Sequence, residues 1–119
     1  YEAAQKFGAK IISVRQVRKL GKQGVLDLIP KGVRYYVTID IDGFDPSIAP
    51  GTGTPSHGGF LYYEVLEILQ GLTRQGQVVG MDLVEVAPVY DPTGITGFLA
   101  AQLLMNFLGF IFEAKFKRT

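Results

Sequence analysis

Asp40-Ile-Asp-Gly-Phe-Asp-Pro46 gathers three carboxylates within six residues. The stretch leading into it, Arg34 to Ile41, is dense in aromatic and β-branched side chains, which predicts a strand buried on both faces. Side chains alternate along a strand, so Asp40 and Asp42 are expected to point the same way and converge on one cation. Two bare carboxylates that close repel unless a metal or a base neutralises them. The carboxyl end of a strand is also where open α/β sheets bind ligands. Metal ligation is therefore the favoured reading of the pair. Asp45 precedes Pro46 and reads instead as an Asx turn that shapes the bend.

Two further segments carry polar side chains in telling places. Gly51-Thr-Gly-Thr-Pro-Ser-His-Gly-Gly59 lacks the Gly-Lys-Ser/Thr ending of a Walker loop, and Ser56 stands where a dinucleotide fingerprint needs its third glycine. Its glycines would instead let backbone close around a small ligand, with hydroxyls from Thr52 and Thr54. An EF-hand fails as well, because position twelve counted from Asp40 is Gly51. His57, the only histidine, reads as an exposed loop residue. In Met81-Asp-Leu-Val-Glu-Val-Ala-Pro88, Asp82 and Glu85 interrupt a strand that otherwise wants burial, so each is expected to meet a cation, a metal-site neighbour or a backbone donor. A carboxylate at such a strand end can accept paired N–H bonds from a guanidinium, and for Asp82 a structural ion pair is an equal alternative.

The elements that must hold these residues follow from periodicity. A short helix is expected from Glu2 to Phe7, stopped by Gly8, then a brief strand at Ile11 and Ile12. Val14 to Leu28 reads as two helical pieces broken by Gly21 and Gly24, and Pro30 to Gly32 as a turn. Gly43 to Gly59 holds five Gly and three Pro in seventeen residues, which makes it a long shaped loop. Leu61 to Leu72 carries a helical apolar stripe, Gly71 to Gly76 a polar connection, Val78 to Val86 a second strand, and Ile95 to Ala114 a final helix with Lys115, Lys117 and Arg118 at its end. Strands separated by helices imply parallel βαβ crossovers.

At 119 residues the chain is one domain, and its 47% apolar and 19% charged composition excludes a disordered or fibrous class. Twelve basic against eleven acidic residues, with no basic run, argue against nucleic acid. The absence of cysteine excludes disulfides and thiolate metal sites and fits a reducing cytoplasm. Tyr1 to Lys10 carries no targeting signal, and a chain that begins without Met is expected to be a fragment or a processed product. Ile95 to Phe112 is uncharged and nearly long enough to span a membrane, but Gln102 and Asn106 would need partners in lipid, so a core or subunit-contact helix is the preferred reading.

Together, Asp40-Ile-Asp-Gly-Phe-Asp-Pro46, Ala49-Pro-Gly-Thr-Gly-Thr-Pro55 with Gly58-Gly59, and Asp82-Leu-Val-Glu-Val-Ala-Pro88 resemble the ureohydrolases, the arginase and agmatinase family. The resemblance runs from Ile11 onward and covers only the C-terminal part of that family. It implies residues 1–119 as part of a three-layer α/β sandwich with a parallel sheet, of the arginase/deacetylase type. It implies a binuclear manganese centre, with nickel or another hard divalent ion as an alternative, and hydrolysis of a guanidino group to release urea. Asp40 and Asp42 would be the metal-ligating catalytic residues, Glu85 would bind the guanidinium, and Thr54 would lie beside the substrate. Ala87, where arginases tend to carry asparagine, resembles the agmatinase branch, whose substrates include agmatine and guanidinobutyrate. The family's earlier Gly-Gly-Asp-His and Asp-Ala-His-x-Asp motifs do not occur, so this chain alone is expected to lack part of the metal site and to be inactive. A truncated, non-catalytic assembly or regulatory module is the alternative. The family also implies a soluble homo-oligomer, a trimer or hexamer.

Overall fold

The apolar stripes and strand compositions condense into six regular elements in the computed structural model, which describes residues 1–117. In chain order these are α1 (Glu2–Lys6), α2 (Val14–Asp27), β1 (Arg34–Asp40), α3 (Tyr62–Gln75), β2 (Gln77–Val84) and α4 (Ile95–Lys117). Short 3₁₀ turns at Ile41–Gly43 and Pro88–Tyr90 follow the two strands. Arg118 lies outside the described residues.

β1 and β2 pair in parallel across the α3 crossover, with Thr38 opposite Asp82, Ile39 opposite Leu83 and Asp40 opposite Val84. The register shifts after Tyr35, so Val79 is an extra residue, and Gly80 sits against the Tyr36 ring where a Cβ would come within 2.7 Å. Tyr35, Val37, Ile39, Val78, Met81 and Leu83 join the core beneath the helices. Tyr36, Thr38 and Asp40 occupy the opposite face of β1 and are exposed. The expectation of a strand buried on both faces is thus corrected: the alternation is that of a sheet covered on one side. Among the described residues, two of the three expected layers are present.

The helical layer is closed by α3 packing on α4 and on β2, with Leu69 and Leu72 of α3 against Ala100, Leu103 and Phe107 of α4 and Leu26 of α2. Ile41, Phe44 and Ala49 plug the same core from the loop after β1, so that loop is anchored by burial at its base. Gly71 lets α2 approach α3, since a Cβ there would stand 2.2 Å from Leu26 Cδ1. α3 runs through to Gln75 instead of stopping near Leu72, with Leu72 and Thr73 buried in its last turn.

Two smaller expectations fail. Ile11 and Ile12 form no strand, because among the described residues neither β1 nor β2 takes a third ladder partner. Gly21 does break α2, with φ 68° and ψ 172°, but Gly24 stays helical beneath Leu20. α4 is long and apolar enough to cross a membrane by length and composition. Its Thr96, Ala100, Leu103 and Phe107 are buried against the rest of the chain, while Phe98, Met105 and Phe112 are exposed.

Candidate active site

β1 stops at Asp40, one residue short of the expected end, and the chain turns at once into the 3₁₀ segment. Strand alternation therefore does not bring the two aspartates together. A hydrogen bond does: the Asp42 N–H donates to Asp40 Oδ1 at 3.1 Å. The Thr54 hydroxyl then donates to Asp42 Oδ2 at 2.6 Å, spanning twelve residues of loop. Asp40 and Thr54 are exposed and Asp42 is half-buried, so the cluster opens outward from the sheet edge.

Glu85 joins the same end of the sheet through the parallel register. Asp40 pairs with Val84, and Glu85 is the next residue of its strand's exit, beside the exit of β1. It lies just past β2, exposed, at φ 69°. A left-handed backbone at a non-glycine residue carries strain, and here it turns the chain out of the sheet at the position expected to meet the guanidinium.

The loop that carries Thr54 is tied down at three places. Asp45 accepts the Ser47 N–H and the Gly58 N–H, both at 2.9 Å, so the Asx turn expected before Pro46 also closes the far end of the loop. Hydrogen bonds from Ser47 foremost, then Gly58, with the charge of exposed His57 adding to them, hold the Asp45 carboxyl below its ordinary range. Arg18 of α2 makes a two-toothed pair with Glu64 of α3, at 2.8 and 3.1 Å, and donates to the Gly59 carbonyl at 2.9 Å. This pair lowers the Glu64 pKa and raises that of Arg18. At the middle of the loop, Gly51 donates to Thr96 Oγ1 at 2.8 Å and accepts from Ala87 N–H at 2.7 Å. None of these anchors beyond Asp45 was singled out in the sequence; Asp91-Pro-Thr ahead of an apolar helix was the available cue.

Asp82 meets neither the ion pair held as one alternative for it nor any of the other expected partners. It sits half-buried on the open face of the sheet and accepts the Tyr36 and Thr38 hydroxyls at 2.9 and 2.5 Å. Cross-strand register puts Thr38 directly opposite it, so hydroxyls arrive where, among the described residues, no basic side chain does. The bond to Asp82 raises the Tyr36 pKa.

The donor chemistry of the Asp40 and Asp42 pair suits a hard divalent cation, because all its donors are carboxylate oxygens. Nothing among the described residues donates to Asp40 Oδ2 or Asp42 Oδ1, which leaves both open. Among the same residues no group of three or more His, Cys, Asp or Glu side chains could hold a metal. One more polar atom is open: Thr52 Oγ1 is buried two residues from Thr54 with no partner among the described residues.

Comparison with known proteins bears on this arrangement. Residues 1–109 match the Arginase family model. Over 103 residues the chain is 48% identical to a protein named putative agmatinase 3 from Schizosaccharomyces pombe, covering 83% of this chain and 25% of that one. Over 74 residues it is 51% identical to a guanidinobutyrase from Pseudomonas aeruginosa, covering 61% of this chain and 23% of the relative. Among solved structures, proclavaminate amidino hydrolase from Streptomyces clavuligerus superposes with a TM-score of 0.84 at 38% identity, over 95% of this chain and 38% of that one. The chain thus spans about a quarter to two fifths of the length of the relatives it matches. With three motifs in order at one sheet edge, and a family match over most of its length, the chain belongs to the arginase family.

Proposed function

We propose that this chain is the C-terminal part of a metal-dependent amidinohydrolase that cleaves the guanidino group of a small linear substrate, such as agmatine or guanidinobutyrate, and releases urea. The observation that carries the reading is the Thr54 to Asp42 hydrogen bond at the sheet end where Asp40 and Glu85 also emerge. The names of the relatives, agmatinase, guanidinobutyrase and amidino hydrolase, point to the same substrate class.

Asp40 and Asp42 would hold manganese, or another hard divalent ion such as nickel, together with ligands from outside these residues. Manganese, when bound, supplies a Lewis acid that activates water at neutral pH. Glu85 accepts the N–H groups of the guanidinium and holds its charge in place. Thr54 fixes the Asp42 carboxylate through its hydroxyl and stands beside the substrate. The chain by itself is inactive because its donor set is incomplete. The assembled enzyme is cytoplasmic and a trimer or hexamer, with exposed Phe98, Met105 and Phe112 of α4 offering apolar area to partners.

In the assembled polypeptide, Asp42→Asn should lose bound manganese and urea release together, by more than the roughly 10–100-fold that loss of an outer-sphere partner costs. Unchanged turnover refutes the reading. A non-catalytic assembly module is the second reading, favoured by the two-carboxylate set. It requires that restoring the missing part of the fold leaves manganese binding weak.

A further inference from the structure

We propose that Asp91 and Thr96 are positioning residues: they clamp the Gly51 end of the Thr54 loop against Ala87, and so set the spacing between the metal-holding and guanidinium-holding halves of the site. The inference rests on the proposed amidinohydrolase reading for its kinetic consequence, but not for its structural one.

The clamp is a directional chain of hydrogen bonds. The Asp91 carboxylate accepts the Thr93 hydroxyl at 2.5 Å and the Thr96 N–H at 2.7 Å. The Thr96 hydroxyl oxygen in turn accepts the Gly51 N–H at 2.8 Å. The Gly51 carbonyl then accepts the Ala87 N–H at 2.7 Å. Both backbone groups of one loop residue are thereby spent, one on α4 and one on the segment after β2. Asp91 is 5% exposed, Thr96 1%, and Gly51 is buried as well, so water does not compete.

Capping α4 needs only the Asp91 bond to the Thr96 N–H. The Thr96 side chain goes further, binding a residue 45 positions earlier. Gly51 fits because a Cβ there would stand 2.8 Å from Thr96 Oγ1 and 2.9 Å from Asp91 Cβ, so the peptide seats flush on the helix end. Gly51 lies three residues before Thr54, and Ala87 two after Glu85. The chain of bonds is therefore a short, buried link between the Asp42-bonded threonine and the strained glutamate.

The test uses the assembled manganese-loaded polypeptide with Thr96→Val, which keeps the shape and removes the acceptor. The expected result is a fall in kcat/KM for agmatine or guanidinobutyrate of about tenfold or more, carried mainly by KM, as misplacement of a binding group costs. Manganese content per chain stays at the wild-type level, and Thr96→Ser, which retains the hydroxyl, restores most of the loss. Hydrogen exchange should quicken at the Gly51 and Ala87 amides together in the valine variant. Wild-type kinetics in Thr96→Val, an equal loss in Thr96→Ser, or faster exchange at Gly51 with Ala87 unchanged would each overturn the proposal. Should Thr96→Val fail to fold, Asp91→Asn is read by the same criteria. If the wild-type polypeptide hydrolyses neither compound, the functional reading falls, and the paired exchange result still decides the clamp.

Discussion

The loop between β1 and α3 is held in two opposite ways. At Gly51 every polar atom of the anchor finds a partner inside the chain, and Asp91 and Thr96 are buried with it. At Asp40, Asp42 and Thr54, two hydrogen bonds orient the cluster, while Asp40 and Thr54 face solvent and carboxylate oxygens stay open. The difference separates scaffold from site. Buried polar groups must be satisfied internally or they cost about 1–3 kcal/mol each, so a network that closes on itself is there to hold position. A cluster that leaves carboxylate oxygens open at a strand end suits the ligand-binding role proposed for it.

Damage to the closed part should be felt first as lost stability. Gly59 lies where the loop returns to Phe44, and a Cβ there would sit 2.5 Å from the Phe44 carbonyl carbon and 2.6 Å from the Asp45 nitrogen, with backbone rather than a flexible side chain in the way. Gly59→Ala should therefore destabilise by about 3 kcal/mol, at the upper end of overpacking costs. The measurement is the midpoint of urea unfolding by circular dichroism. A midpoint within error of wild type would mean that the loop base yields easily, and that the contrast between rigid anchor and open cluster is weaker than drawn.

How much of this contrast was legible in the residues themselves depends on the range of the forces involved. Asp40 and Asp42 stand out by type and spacing, whereas Thr54 was separated from Thr52, and Glu85 from Asp82, only by the family resemblance; the register brings Asp40 and Glu85 to one sheet end. The means by which Asp42 arrives was misjudged: local turn geometry after Asp40 replaced strand alternation, a choice that depends on Ile41 burying itself in the core. The one-sided burial of β1 was hidden for a related reason, since Tyr, Val, Thr and Ile serve a strand covered on either one face or two. Asp82 was expected to meet a cation, a metal-site neighbour or a backbone donor, and only the pairing of strands shows that Tyr36 and Thr38 supply hydroxyls instead. The Asp91 anchor joins residues 45 apart through backbone atoms, and backbone partners leave no trace in side-chain patterns.

The closed anchor also has a pH signature. Donation from the Thr93 hydroxyl, then from the Thr96 N–H and hydroxyl, lowers the Asp91 pKa to about 2. An unfolded aspartate titrates near 3.9. Since the folded value is the lower one, the contribution is fully present above about pH 4, declines as the pH falls, and is gone below about pH 2. Asp91→Asn should lower the unfolding midpoint at pH 6 and flatten the slope of stability against pH between about 4 and 2. If the variant keeps the wild-type slope in that window, another carboxylate sets it, and Asp91 is not the charged centre of the anchor.

The smallest effect expected is also the one with opposite signs for stability and function. Glu85 holds a left-handed backbone at φ 69° while its side chain is exposed. That conformation costs a non-glycine residue roughly 1–2 kcal/mol, and glycine would relieve it while giving back about 0.5–1 kcal/mol through its freedom in the unfolded chain. Glu85→Gly should then raise the unfolding free energy by less than about 1 kcal/mol, a shift of a few degrees in thermal midpoint at most. The same change removes the carboxylate proposed to hold the guanidinium, so activity in the assembled enzyme should fall even as the fold gains. A variant that is less stable than wild type would place Glu85 with Asp91 among the residues that hold the fold. A more stable and less active one places it with Asp42 and Thr54, as strain retained for what the site binds.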